Sequence, residues 1–303
     1  MSLSDLTWGP PTTAAPIATV VADLVALTKP RIVSLLVLTG VAATVVAAGG
    51  WSDMAALTAV SIGGGMAGAG AGSINCALEG DLDRKMARTS QRPVAAGRLS
   101  ARFALIQGIV LNLVAFLLIT TLTNPLAAAL TLAGTLWYVF VYTLWLKPRT
   151  AINIVVGGLA GSFPPLVGWA AVTGRITTTA LALAAVIFFW TPSHFWALAT
   201  LAHDDYRTAG IPMLPTVAGT RRAARGMLAY AAVTLVVSIV PVFAGDLRLP
   251  YLAAALGTGG WFIGLCCKHL RRLTPTTARR AFMGSLAYLA AIFLAAMLDV
   301  VLR

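Results

Sequence analysis

The sequence predicts an all-α integral membrane bundle of nine transmembrane helices, built as two pseudo-repeated four-helix units plus one. Three observations predict it. Of the 303 residues, 58% are hydrophobic and 11% charged, with a mean hydropathy of +0.85, which is the composition of a polytopic membrane protein rather than a water-soluble domain. Nine apolar stretches are each long enough to cross about 30 Å of hydrocarbon. Acidic clusters follow the second and the sixth stretch, an offset of four helices that marks an internal repeat.

The elements follow in order. Residues 1–28 form an N-terminal segment without a basic region ahead of an apolar core, so a cleaved leader is not expected; Ile17 to Leu27 reads as an interfacial helix. The nine-helix domain then occupies 29–303, with spans at 32–50, 54–78, 102–121, 125–146, 152–173, 178–200, 223–244, 248–268 and 279–301. The first span is expected to act as the insertion signal. The second carries the run Gly63 to Gly72, rich in Gly and Ala, which lets backbones approach closely inside a bundle. The longest polar connections are about 79–100 and 202–222, and the second is stopped and turned by Gly210, Pro212 and Pro215.

A net charge of +12 would suit a nucleic-acid partner, but its placement argues for a lipid bilayer and against nucleic acid. With the N-terminus cytoplasmic, only Arg175, Arg248 and Arg303 of the 22 Lys and Arg fall outside, a strong positive-inside asymmetry. Both acidic loops are then cytoplasmic, and the C-terminus lies outside. Cys76, Cys266 and Cys267 lack metal-site spacing and read as buried thiols.

The chemistry gathers in the first of these loops. Asn75, Glu79 and Asp83 recur every four residues, so on a helix they project from one face as a ladder of oxygen ligands. Arg84, Arg88 and Arg92 repeat the spacing, and acid beside base in this way suits hard divalent cations and the phosphates they bridge. The expected substrate is a diphosphate. Cations at a span end are also ordinary topology determinants, whereas Glu79 is the only glutamate in the chain and lies where an unpaired carboxylate is costly. In the second loop, Asp204 and Asp205 sit beside the rigid turn, a setting that suits metal binding. His194, flanked by Phe195 and Trp196 in the sixth span, reads on its own as a packing residue.

Four ordered segments carry a resemblance to a known family. They are Leu27-Thr28-Lys29-Pro30-Arg31; Asp83 to Pro93, preceded by Asn75-xxx-Glu79; Tyr142 to Ala170, with Lys147, Arg149 and Asn153; and His194-Phe195-Trp196 with Asp205-Tyr206-Arg207 and Gly210 to Pro215. Together they resemble the intramembrane aromatic-prenyltransferase superfamily, and within it the protohaem IX farnesyltransferase (haem O synthase) branch. The second loop departs from the wider pattern, offering adjacent Asp204 and Asp205 rather than aspartates four apart.

The resemblance implies transfer of farnesyl from farnesyl diphosphate to a vinyl carbon of haem b, with water added, giving haem O for terminal oxidases. It implies Mg²⁺ held by Asn75, Glu79, Asp83, Asp204 and Asp205, with haem b as substrate rather than cofactor. Arg84, Lys85, Arg88 and Arg92 would grip phosphate, and Tyr206 and Arg207 would close over it. Arg31 and Arg149 would meet the haem propionates, beside Lys147 and with Asn153 facing the bundle centre; positive-inside anchoring is the plainer reading of these cations. His194 would order the haem, ligate its iron or accept a proton, three roles the sequence leaves open. Haem A synthase or oxidase assembly factors are the partners implied. A quinone-precursor or other aromatic acceptor is the alternative within the superfamily. A secondary transporter, the alternative outside it, is disfavoured because the acids gather at one face instead of inside the spans.

Overall fold

The computed structural model describes residues 17–303; the first 16 residues of the expected N-terminal segment lie outside that range. Helix α1 (Ile17–Leu27) forms where a short interfacial helix is expected, and nine helices long and apolar enough to span a bilayer follow it among the described residues. These are α2 (Pro30–Ala48), α3 (Met54–Leu78), α4 (Ala101–Leu122), α5 (Pro125–Leu146), α6 (Asn153–Thr173), α7 (Thr178–Leu201), α8 (Thr220–Phe243), α9 (Leu249–Arg272) and α10 (Pro275–Val301).

Their ends follow local chemistry. Asp53, Ser100 and Asn124 each accept a hydrogen bond from the backbone N–H three residues on, satisfying a donor that the first turn would otherwise leave free. The last helix begins at Pro275, four residues before the expected start, because Thr274 caps it and proline suits the first turn. Helix α9 runs on past Lys268 to Arg272, since cations in a last turn favour the helix dipole and reach the interface on long stems. Four spans are not uniform, α8 being interrupted by a turn at Ile239 ahead of Pro241. The turns widen to π geometry over Ala59–Gly63 in α3 and Trp137–Leu146 in α5, and tighten to 3₁₀ over Gly158–Ser162 in α6. Such departures from α geometry gather near functional sites.

Sequential spans pack on one another from α2 round to α10, and α10 returns to α2, closing a ring; α2 against α6 and α7 against α10 cross its middle. The largest core cluster lies mainly in the second half, with Tyr251, Phe262, Tyr288 and Phe293, and takes in Ala42, Ala43, Val45 and Val46 of α2 and Tyr142 of α5. The outer face of α4, with Val110, Leu113 and Leu117 exposed, is apolar because lipid rather than water surrounds it.

Two crossings depend on glycine. At the α3–α4 crossing, a Cβ on Gly108 would lie 2.6 Å from the Gly70 carbonyl oxygen, and one on Gly70 would lie 2.7 Å from the Gly108 oxygen. At the α2–α6 crossing, a Cβ on Gly168 would run into the Gly40 carbonyl. Backbone cannot yield as a side chain can, so the helices would have to separate. Gly108→Leu is expected to destabilise the bundle by about 3 kcal/mol, seen as unfolding at lower denaturant in a mixed-micelle titration. An unchanged midpoint would show that the crossing is slack.

Candidate active site

The oxygen ladder forms where α3 ends. Glu79 leaves helical geometry, with φ −104 and ψ 11, and a separate turn, Gly80–Arg84, follows. The four-residue register survives this break. The N–H of Glu79 donates to the Asn75 carbonyl at 2.9 Å, and that of Asp83 donates to the Glu79 carbonyl at 2.8 Å. Asn75, Glu79 and Asp83 therefore stay stacked, and all three are buried, at 2%, 3% and 1% exposure.

Each rung has a cation supplied by a different element. Lys29 Nζ donates to Asn75 Oδ1. Lys147 Nζ, at the end of α5, donates to Glu79 Oε1 at 2.5 Å. Arg92 Nη1 donates to both carboxylate oxygens of Asp83, at 2.9 and 2.8 Å. Burying three polar rungs demands such partners, because an isolated buried carboxylate is prohibitive. Thr143 Oγ1 accepts from Asn75 Nδ2 at 3.2 Å, orienting that amide.

Lys29 takes a left-handed conformation, φ 52, immediately before Pro30. That is strained for a residue with a side chain, most of all ahead of proline, and strain of this kind persists where the surroundings over-determine a side chain's position. Burial lowers the Lys29 ammonium below the ordinary lysine range, against a partial offset from nearby Cys76. Burial alone would lower Arg92 as well, but the charge and hydrogen bonds of Asp83 prevail and raise it.

The helical spacing read for Arg84, Arg88 and Arg92 does not continue beyond Arg84. Residues 85–100 form successive turns, in which Arg92 folds back onto Asp83 while Arg84 pairs outward with Asp81. The reason lies in how the loop satisfies its backbone. Thr89 Oγ1 donates to the Asp83 carbonyl at 3.1 Å, and Asp205 accepts from the N–H groups of Ala87 and Arg88 at 2.9 and 3.2 Å.

Asp205 thereby ties the two acidic loops together. Met86, Tyr206, Ile211 and Met213 form a small apolar cluster beneath the tie. Asn153, fully buried, adds a third segment by donating to the Pro212 carbonyl at 3.2 Å. Asp205→Ala is expected to leave the spans intact but raise amide exchange at Ala87 and Arg88 by about tenfold, the loss of roughly 1.4 kcal/mol of local closure. Mass spectrometry of exchanged peptides from 84–92 would read it; unaltered exchange would refute the tie.

The remaining expected residues lie further out. Asp204 is exposed and pairs with Arg207 at 3.1 Å. Lys85, Arg88 and Arg31 are exposed. Arg149 caps the end of α5 by donating to the Leu144 and Trp145 carbonyls at 2.8 and 3.0 Å. Tyr206 is buried, which raises its phenol above the ordinary range. His194 lies deeper in the bundle, stacked on Trp190 with Nδ1 2.7 Å from Ser285 Oγ.

Two site residues escaped the sequence reading in whole or part. Lys29 stands in the sequence only as one member of the Leu27 to Arg31 segment, with no site role of its own, and Thr143 carries no signal, being one threonine in an apolar run. Their signal is three-dimensional, since Lys29 is 46 residues from Asn75 and Thr143 is 68.

The donor set suits Mg²⁺. Among the described residues, no three His, Cys, Asp or Glu side chains gather into a protein-only cage. Mg²⁺ seldom uses one; it takes one or two carboxylates together with waters and substrate phosphate oxygens. Glu79 and Asp83 would offer such carboxylates and Asn75 an amide oxygen, and each of the three already has a cation beside it.

Known proteins share the sequence pattern and the fold of this chain. Residues 36–296 match the UbiA prenyltransferase family. A protoheme IX farnesyltransferase of Deinococcus radiodurans is 43% identical over 91% of this chain and 92% of its own length. Another of that name, from Roseiflexus sp. strain RS-1, is 44% identical over 91% of this chain but 52% of its own length, so the chain spans about half of that relative. Among solved structures, a UbiA homologue from Archaeoglobus fulgidus bound to GPP and Mg²⁺ superposes with a TM-score of 0.66 at 16% identity. It covers 91% of this chain and 99% of its own. At that identity the likeness establishes the fold alone.

Proposed function

The chain belongs to the UbiA prenyltransferase family, and we propose that it transfers farnesyl from farnesyl diphosphate to a vinyl group of haem b, with water added, to give haem O. The buried ladder carries the reading, with Asn75, Glu79 and Asp83 each facing a cation drawn from a separate segment. The names of relatives that share 43% and 44% of their aligned residues support the acceptor.

Bound Mg²⁺ would stabilise the charge that develops on the departing diphosphate. Glu79 and Asp83 would hold it through carboxylate oxygens and Asn75 through Oδ1, with Asp204 and Asp205 framing the second loop. Lys29, its ammonium buried, Lys147, also buried, and Arg92, partly exposed, are the donors that would meet phosphate oxygens, and donors held in place beforehand cost little reorganisation at the moment of reaction. Arg84, Lys85, Arg88 and Arg207 lie at the rim, where they would draw the diphosphate in and close over it with Tyr206. Arg31 and Arg149, both exposed, would be accessible to the propionates of a haem at the interface.

As the C1–O bond breaks, its electron pair leaves with the diphosphate, and the vinyl π pair forms the new bond to C1. Water adds to the cation left beside the macrocycle and releases one proton. On this reading the protein lies in the cell membrane with its N-terminus and acidic loops cytoplasmic and its C-terminus outside. Haem A synthase or oxidase assembly factors would then be the partners that take the product.

Purified protein in detergent with haem b, farnesyl diphosphate and Mg²⁺ tests this, the extracted haem being read by mass spectrometry. A haem gaining farnesyl plus water is expected. Unchanged haem with farnesylation of an added aromatic acceptor would move the activity to a quinone-precursor type of substrate.

A further inference from the structure

We infer that Ser285 is a positioning residue that fixes His194 as its Nδ1–H tautomer and so presents Nε2 as an axial ligand for the iron of a bound metalloporphyrin. The inference deepens the proposed function and rests on haem b being the acceptor.

The proton count carries it. Ser285 Oγ has two close neighbours, the Phe282 carbonyl at 2.6 Å and His194 Nδ1 at 2.7 Å. A carbonyl can only accept, and a hydroxyl has a single proton. The Ser285 proton therefore goes to Phe282, and the short contact to the ring is satisfied only if Nδ1–H donates to Oγ. That leaves Nε2 unprotonated, with its lone pair free.

The ring is also held in place. Its faces lie against Trp190 at 4.3 Å and Phe282 at 4.7 Å, with interplanar angles of 16° and 25°. Trp190 is locked in turn, since its Nε1–H donates to the Ser285 carbonyl at 2.8 Å. One residue of α10 thus anchors both the histidine and the indole it stacks on, and the stack prevents the imidazole from exchanging its two nitrogens.

Among the described residues Nε2 has no hydrogen-bond partner, and His194 is only partly buried. Two roles suit such an atom, proton acceptor and metal ligand. Accepting a proton would leave an imidazolium inside the bundle with no Asp or Glu bonded to the ring among the described residues, an expensive charge at this depth. Ligating iron leaves the imidazole neutral. A neutral imidazole whose other N–H is held by an oxygen acceptor is the usual arrangement of a metal-binding histidine.

The test reads iron ligation apart from turnover. Purified protein in detergent is titrated with ferric haem b and followed by optical and electron paramagnetic resonance spectra. Wild type is expected to show an imidazole-ligated iron, and His194→Gly to lose that signature and recover it with added imidazole. Ser285→Ala should weaken haem binding by about tenfold, whereas Ser285→Thr, which keeps the hydroxyl, should retain wild-type affinity and spectrum. If His194→Gly binds haem with an unchanged spectrum while wild type still farnesylates it, the ligation is refuted and the proposed reaction stands. If wild type binds no haem and prenylates another acceptor, both fall.

Discussion

Asp83→Asn is expected to reduce farnesyl transfer by about 10³-fold or more while the protein remains inserted and folded. Asp83 is 1% exposed and accepts both of its hydrogen bonds from Arg92. The amide has nearly the same shape, keeps one acceptor oxygen and removes the charge. What it loses is a hard anionic ligand and the force that holds Arg92 against the ladder. The Arg92 side chain is 26% exposed, so its freed charge can be hydrated. The stability cost should therefore fall below the roughly 3–5 kcal/mol of a broken, fully buried pair. Product formation by mass spectrometry across a Mg²⁺ titration, alongside thermal unfolding, checks both halves. Retention of a tenth or more of the activity at ordinary Mg²⁺ would remove Asp83 from the metal-holding set.

The difference between what was legible in the sequence and what was not has a physical basis. The spans were legible because a bilayer imposes a single strong rule, about 20 apolar residues per crossing, and their ends moved by only a few residues at Pro275 and Arg272. The ladder was legible because its order is local, set by backbone hydrogen bonds four residues apart that persist across the break at Glu79. The cation ladder was not, because outside the bilayer nothing obliges the chain to remain helical. Arg92 reaches Asp83 through turns that depend on Thr89 and on Asp205, more than 100 residues away. Lys29 and Lys147 likewise acquire their roles from packing of α2 and α5 around α3, which no spacing along the chain encodes. His194 stood out by its type and its neighbours, but its tautomer depends on Ser285, 91 residues on, in a helix that looked like any other span.

The Glu79–Lys147 pair gives the second large effect, and its sign separates a metal site from a structural ion pair. Both side chains are buried, at 3% and 8% exposure. Lys147→Met would leave the carboxylate without a partner and is expected to destabilise the protein by about 3–5 kcal/mol. Glu79→Gln would strand the ammonium at similar cost. The double variant buries neither charge, so it should be more stable than either single variant, which requires a coupling of at least about 3 kcal/mol. All three should lose turnover, since the carboxylate is needed for the metal and the ammonium for phosphate. Mg²⁺ then discriminates. In Lys147→Met the bare Glu79, beside Asp83, should take up the cation, so millimolar Mg²⁺ should raise the unfolding temperature of this variant more than that of wild type. The double variant, lacking one carboxylate, should gain less. Equal Mg²⁺ responses in all four proteins would mean that Lys147 does not occupy a cation position, and that Glu79 serves only to anchor the end of α5. A selective gain in Lys147→Met would show that the ammonium occupies, in the metal-free protein, the position to which the metal is drawn.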